Sequence, residues 1–274
     1  MLTGLRSEKR PAGAVKHFPA PGHSHKPASG PSFSNHLLAT MPPDLLLHLV
    51  PLLRRVELTK HLHLQTPGGP SSAVYFIESG VVSLTLGSGE MRMEVGLVGR
   101  EGIVGTTLLY TVDRSPLLAE VLISGSAWRI DAVDLSAALV ASPNLRRFLG
   151  RVLYIELAQA RSNALAVGRL AVEGRLARWL LMMDDRLPEG RIEVVQHDVG
   201  DILGVRRPGV SVALKRFSDR DLVDFQRGCI NVRRRSGLIE VAQGTYGSAE
   251  SEYARLLGEF RVSGRRPLAR EHRV

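Results

Sequence analysis

The stretch Val199-Gly200-Asp201-Ile202-Leu203-Gly204-Val205-Arg206-Arg207-Pro208-Gly209-Val210-Ser211-Val212-Ala213-Leu214-Lys215-Arg216-Phe217 decides how the rest of the chain is read. Val199, Ile202 and Leu203 recur at helical spacing, Gly204 interrupts them, and Val210, Leu214 and Phe217 resume the same period. Two short helices meeting at a glycine turn are the signature of a helix-turn-helix. The second segment carries Arg206, Arg207, Lys215 and Arg216, with no acid between Val205 and Phe217, so its outward side is cationic. Pro208 suits a first helical turn, where no intrahelical donor is required. Arg206 and Arg207 then stand at the helix entrance, where base edges are met and a guanidinium offers paired donors to guanine O6 and N7. Pro208, Gly209, Ser211 and Val212 complete the candidate reading surface.

Downstream, Leu222 to Phe225 and Cys229 to Val232 are strand-like runs around Gln226-Arg227-Gly228. They predict a β-hairpin wing whose Arg227 reaches a phosphate. Cys229 is expected to be a small half-buried wing residue rather than a redox sensor. Arg233-Arg234-Arg235 reads either as a solvated charge run or as a second backbone-contact patch.

Upstream, Ser142 and Pro143 predict a helix start, the hydroxyl capping free amides and the proline occupying the first turn. Leu149, Leu153, Leu157, Ala160, Ala164 and Val167 follow at intervals of three or four, one continuous apolar stripe. Together with a second apolar set that includes Val152 and Ile155, the stripe predicts a helix with two jobs. It packs on its own β domain, and it forms a parallel two-helix seam with a second copy through Leu149, Leu153, Leu157, Ala160 and Ala164. Gly174 is read as an interruption before a second helix, which runs from about Arg175 to the break at Pro188-Glu189-Gly190.

From Val56 to Ile130 the pattern changes to short β-branched and alternating runs: Val74 to Ile77, Val81 to Leu86 before the turn Gly87-Ser88-Gly89, Met91 to Leu97, and Glu120 to Ile123. These predict a sandwich or barrel-like β domain. His61 and His63 would share one strand face, but no further ligands accompany them. Residues 1–35, rich in Pro, Gly, Ser and His without an apolar period, read as a disordered tail with His17, His23 and His25 as solvated residues.

The 274 residues carry 36 Lys+Arg against 27 Asp+Glu, a formal charge of +9. The excess falls in residues 1–35 and 175–274, while residues 36–174 are balanced, so a polyanion partner is expected for the C-terminal third. No window approaches eighteen uninterrupted apolar residues and the N-terminus lacks an apolar signal core, which argues against membrane spanning and export. The single cysteine excludes an intramolecular disulfide framework, a four-cysteine zinc site and a four-thiolate cluster, and fits the cytoplasm. No His-Glu-x-x-His, Gly-Lys-Ser/Thr phosphate loop or Gly-x-Ser-x-Gly turn points to an enzyme.

Four segments resemble the bacterial Crp/Fnr transcription regulators: Val74-Tyr75-Phe76-Ile77-Glu78-Ser79-Gly80-Val81-Val82, Val98-Gly99-Arg100-Glu101-Gly102-Ile103-Val104-Gly105, Gly174-Arg175-Leu176-Ala177-Arg178-Trp179-Leu180-Leu181 and Asp201 to Val210. The resemblance covers roughly residues 45–245 and implies an α+β fold. Its expected parts are a basic tail (1–35), a cyclic-nucleotide-binding-like β-roll sensor (36–141), a dimerisation helix (142–173), a winged helix-turn-helix domain (174–245) and a C-terminal extension (246–274). Double-stranded DNA, a second copy of the chain and RNA polymerase are the partners it implies.

In the cyclic-AMP-binding members of that family a Gly-Glu pair and a later Arg-Ser pair hold the ribose and the cyclic phosphate. Here Gly105 is followed by Thr106 in place of the glutamate, Arg114-Ser115 keeps the other half, and the hydroxyl pair that contacts adenine falls on Ala160 and Arg161. Unpaired ligand donors would cost about 1–3 kcal/mol each, so cyclic AMP is disfavoured and no cofactor is assigned. Gly105, Thr106, Arg114, Ser115 and Arg161 remain as candidate positions for a different effector. Pro208 stands where the family has a recognition glutamate, so the half-site should differ from that of the cyclic-AMP members. The alternative is a small-molecule-binding roll that acts through protein contacts without specific DNA binding.

Overall fold

The computed structural model describes residues 32–187, 190–226 and 228–260. Helices α1 (His36–Thr40) and α2 (Pro43–Leu46) precede strands β1 (Arg54–Leu58), β2 (His63–Gln65), β3 (Ala73–Leu86), β4 (Met93–Val98), β5 (Ile103–Val104) and β6 (Leu118–Asp131). All pairings are antiparallel, in the order β1-β6-β3-β4, with β2 on β6 and β5 on β3. The runs Val74 to Ile77 and Val81 to Leu86 form one bent strand rather than two. The bend lies at Gly80, where φ is +83° and the register against β6 shifts repeatedly. A side chain there would strike the Ile123 carbonyl at 2.4 Å, so the bend requires glycine.

The end of the N-terminal tail is ordered. Asn35 is fully buried, donates through Nδ2 to the carbonyls of Ile77 and Gly102 (2.9 Å each), and caps α1 by accepting from the Leu38 N–H. Phe33 packs edge-on against Trp128. The reading of a disordered tail is therefore corrected for Phe33, Ser34 and Asn35, and the rest of it, residues 1–31, lies outside the described residues.

Helix α3 (Ala132–Ala141) leads into α4 (Pro143–Arg169) and α5 (Val172–Arg186). Ser142 caps α4 as its sequence predicts, its hydroxyl accepting from the Leu145 N–H at 3.3 Å with Pro143 in the first turn. Gly174 does not end a helix: the break falls at Leu170 and Ala171, and Gly174 lies buried inside α5, close to Leu170 and the Val241 carbonyl. After β7 (Arg191–Ile192) come α6 (Gln196–Leu203), α7 (Arg207–Asp219), β8 (Val223–Gln226), β9 (Cys229–Val232), α8 (Arg235–Val241) and α9 (Ser248–Leu257). The small sheet has the order β7-β9-β8.

Three apolar cores result. One fills the roll between Val56, Tyr75, Val98 and Val121. A second joins α1, α3 and α4 to the sheet's outer side and includes Tyr253 and Leu257 of α9, so part of the C-terminal extension folds back onto the sensor end. The third is the core of the winged domain, and it reaches Val81, Leu97 and Leu122 of the roll. Roll and winged domain are therefore in direct contact.

In the Arg233–Arg235 run the first two arginines are exposed and the third is half-buried. Arg233 pairs with Asp224 at 3.2 Å, Arg234 donates to the Arg220 carbonyl, and Arg235 is tied to Asp184, Asp185 and Tyr246. Asp184 is 1% exposed, so Arg235→Ala would remove a charged partner from a buried carboxylate. We expect that variant to lose about 3–5 kcal/mol of stability in urea titration.

Glu94 of β4 faces α5, takes a 2.6 Å hydrogen bond from Ser83, and has its carboxyl pushed up to about 8 by burial, against the pull of Ser83 and Arg186. An unfolded glutamate loses its proton near 4.5, so between that value and about 8 the folded state binds more protons and stability falls as pH rises. Glu94→Gln should reduce this slope and be the more stable form above that window, by about 1–3 kcal/mol, when both proteins are titrated with urea across the range.

Candidate nucleic-acid interface

Helix α6 turns into α7 through Gly204, which adopts φ +61°, and the Val205 N–H closes the turn on the Gly200 carbonyl at 2.9 Å. Val199, Ile202 and Leu203 of the first helix and Val210, Ala213, Leu214 and Phe217 of the second face the winged-domain core. Burial of those faces leaves the opposite side of α7 in solvent. Arg206 is the N-cap rather than a helical residue, Arg207 begins the helix, and Pro208 lies in its first turn.

Arg206, Arg207, Pro208, Val212, Lys215 and Arg216 are exposed. Pro208, Val212 and Lys215 recur at i, i+4 and i+7, one stripe along the helix. Val212 is 51% exposed, an apolar group offered to solvent between cations. The remaining predicted reading residues differ in setting. Ser211 is half-buried and donates to Gln196 Oε1 at 2.7 Å, holding the two helices together. Gly209 lies beside Val172, and Arg216 pairs with Glu173 of α5. Arg227 lies outside the described residues. Strands β8 and β9 form the predicted wing, and Cys229 is half-buried beside Asn231.

On α4 the predicted stripe divides. Leu149 is 0% exposed and belongs to the sensor-side core, so it is removed from the proposed seam: the roll and α3 already cover it. Leu153 is half-buried against the same core. Leu157, at 46% exposure, and Ala160, Arg161 and Ala164 face outward, joined by the exposed Tyr154, Leu165 and Val167.

The predicted effector positions come only partly together. Gly105, with φ +97° and no room for a side chain beside the Ala73 carbonyl, turns the chain into a short 3-10 helix at Thr106–Tyr110. Ser71 bonds the Thr107 hydroxyl (3.1 Å) and the Asp113 carbonyl (2.7 Å), so the Thr106 and Arg114 loops meet at one end of the roll. Arg114, however, donates to the Gly68 carbonyl at 2.8 Å, and the buried Ser115 accepts from the Leu117 N–H. Thr106 donates to Glu156, the one acid in a helix that carries five arginines. Burial raises the Glu156 carboxyl above the usual range against that bond. Arg161, five residues on, lies about 140° around the helix from Glu156 and is exposed. Sequence reading missed Glu156, although its isolation among arginines was the available signal.

His61 and His63 share Glu120, at 2.8 and 3.7 Å, rather than one strand face. Among the described residues no group of three or more His, Cys, Asp or Glu is arranged to hold a metal ion, and no helix is long and apolar enough to cross a membrane.

Residues 174–241, from within α5 to the end of α8, match the Crp-like helix-turn-helix domain family. The chain is similar to FixK2 from Bradyrhizobium japonicum, with 26% identity and a TM-score of 0.61 over 69% of this chain and 96% of FixK2. It also shares its fold with the c-di-GMP responsive global regulator CLP of Xanthomonas campestris, at 18% identity and a TM-score of 0.57 over 70% of this chain and 99% of CLP. No curated protein matches the chain. The chain thus carries a Crp-like helix-turn-helix domain at residues 174–241 and shares its fold with FixK2 and CLP.

Proposed function

We propose that the protein binds double-stranded DNA as a homodimer, reads an inverted repeat with α7 of each protomer, and does not use cyclic AMP as its effector. One observation carries the reading. The solvent side of α7 holds Pro208, Val212 and Lys215 in one stripe, with the exposed Arg206 and Arg207 at the helix entrance, and its other side is buried. Guanidiniums at the helix entrance suit guanine edges, and the exposed Val212 suits a thymine methyl. Two such helices related by a twofold axis would address half-sites about 34 Å apart or a multiple of it. RNA polymerase is the protein such a regulator would meet at a promoter.

Dimerisation through α4 is supported by Leu157, Ala160, Ala164 and Val167, an apolar surface left exposed among the described residues. Against cyclic AMP stand the absent ribose acceptor, the commitment of Arg114 to the Gly68 carbonyl, and Ala160-Arg161 where adenine would need hydroxyls. A pocket that leaves ligand donors unpaired discriminates strongly against that ligand.

Two measurements test the proposal. Duplexes selected from random DNA should contain an inverted repeat, bound equally with and without cyclic AMP. Of Arg206→Ala and Arg207→Ala, at least one should lose about 1–3 kcal/mol on that operator and relax preference at one base pair per half-site. If both keep full preference, the recognition assignment is wrong. Replacing Leu157 and Ala164 with Glu should place four charges in the seam and yield monomers in sedimentation velocity, and an unchanged dimer would refute the α4 interface.

A further inference from the structure

Helix α9 lies beyond residues 174–241, which match the helix-turn-helix domain, and it returns from the winged domain to the sensor end. Its start is held in the winged domain. The Thr245 carbonyl accepts from Arg178 Nε of α5 at 2.9 Å, and the Tyr246 hydroxyl donates to Asp185 at 2.6 Å. The helix then runs antiparallel to α4, with the Ser248 and Ser162 hydroxyls 3.0 Å apart and Arg151 donating to the Leu256 carbonyl at 3.2 Å. Those two contacts span eleven residues of α4, about 16 Å at the helical rise. Its far end is buried. Tyr253 and Leu257 enter the sensor-side core, and the Tyr253 hydroxyl donates to the Glu101 carbonyl at 3.0 Å and meets His36 Nδ1 at 2.7 Å.

Besides the Arg186–Glu101 pair, the winged domain is therefore tied to the rest of the protomer at two separated places. One is the junction at Leu170 and Ala171, where the long helix breaks. A domain held by such a junction and a small contact is free to swing. The other is α9, which a swinging winged domain would have to drag along α4. Arg151 and Ser162, which α9 contacts, lie more than about 120° around α4 from Leu157, Ala160 and Ala164. The strap therefore leaves that apolar stripe open.

We propose that α9 makes the separation of the two half-sites, and not only their sequence, a requirement for binding. The proposal rests on the homodimeric reading of an inverted repeat. A seam between two α4 helices fixes the protomers to each other, and α9 fixes each winged domain to its own α4 and roll. The distance between the two α7 helices is then set by the protein. Loosely tethered winged domains would instead adapt to several half-site separations.

Six glycine and serine residues inserted between Tyr246 and Gly247 test it. They lengthen the tie by up to about 20 Å, and they leave Tyr246 on Asp185 and Gly247 as the N-cap of α9. Operators are built from half-sites selected with the parent protein. Adding or removing two base pairs between the half-sites should lower the affinity of the parent at least tenfold and that of the extended protein less than threefold. Base preference within a half-site should be the same in both. Equal discrimination of spacing by the two proteins overturns the role of α9 and leaves the DNA reading standing. Failure of the parent to select any inverted repeat overturns that reading, and the role of α9 with it. A second measurement needs no DNA. Nitroxides are placed at the exposed positions Glu57→Cys of the roll and Asp219→Cys of α7, in Cys229→Ser protein diluted with unlabelled chain. Pulsed electron paramagnetic resonance should give one narrow distance in the parent and a distribution at least twice as wide in the extended protein. An unchanged width shows that α9 does not restrain the winged domain and refutes the proposal.

Discussion

A guanidinium almost fully removed from water holds the two halves of this molecule in register. Arg186 lies at the end of α5, in the winged domain, and its partners Glu101 and the Leu97 carbonyl belong to the roll. Such a pair adds little net stability, since desolvation of the two charges offsets most of their attraction, but breaking it leaves an uncompensated charge. It acts on geometry. With Arg186 seated, β4 lies against α5, Glu94 is driven into a low-dielectric contact, and the winged-domain core extends into the roll through Val81, Leu97 and Leu122. Domain contacts within one chain are often small and mobile, and this one gains its definition from charge as well as apolar area.

Helix α4 is the second organising element, because its sides meet different surroundings. One side enters the sensor-side core through Leu145, Phe148, Leu149 and Val152. Asn163 donates to the Val95 carbonyl and accepts from Arg178, linking roll and winged domain from the helix itself. The outward stripe around Leu157 is left to solvent in the protomer. Helix α9 adds a strap: it leaves the winged domain after Tyr246 and brings Tyr253 against His36 (2.7 Å) and the Glu101 carbonyl (3.0 Å). Any rigid rotation of the winged domain about α4 must therefore rearrange α9, the Arg186 pair, or both.

The loop at the sensor end illustrates how a family pattern can persist for a local reason. Gly105 is required by a positive φ and by the nearness of the Ala73 carbonyl, whether or not a nucleotide is ever present. Arg114 likewise has a structural task on the Gly68 carbonyl. What the site presents instead of an acid at position 106 is a threonine hydroxyl bonded to Glu156, which moves the carboxylate from the loop to the helix.

Features governed by near neighbours in the chain were legible from the residues. The Ser142-Pro143 cap, the glycine turn at 204, the proline in the first turn of α7 and the strands of the wing each depend on backbone preferences that act over a few positions. Alternation likewise marked the β domain, although Gly80 as a bend inside one strand rather than a break between two needed the register against β6. Which surface a residue faces was decided only by the folded chain. A helical stripe states that Leu149 and Leu157 are both apolar and on neighbouring faces, not that the first is fully covered by the chain's own core and the second stays 46% exposed among the described residues. The same holds for Arg235, whose partners Asp184 and Asp185 are about fifty residues away, and for Asn35, Glu156 and α9. Local propensity acts through adjacent dihedrals, whereas burial and charge pairing act between segments that only the tertiary fold brings within contact distance.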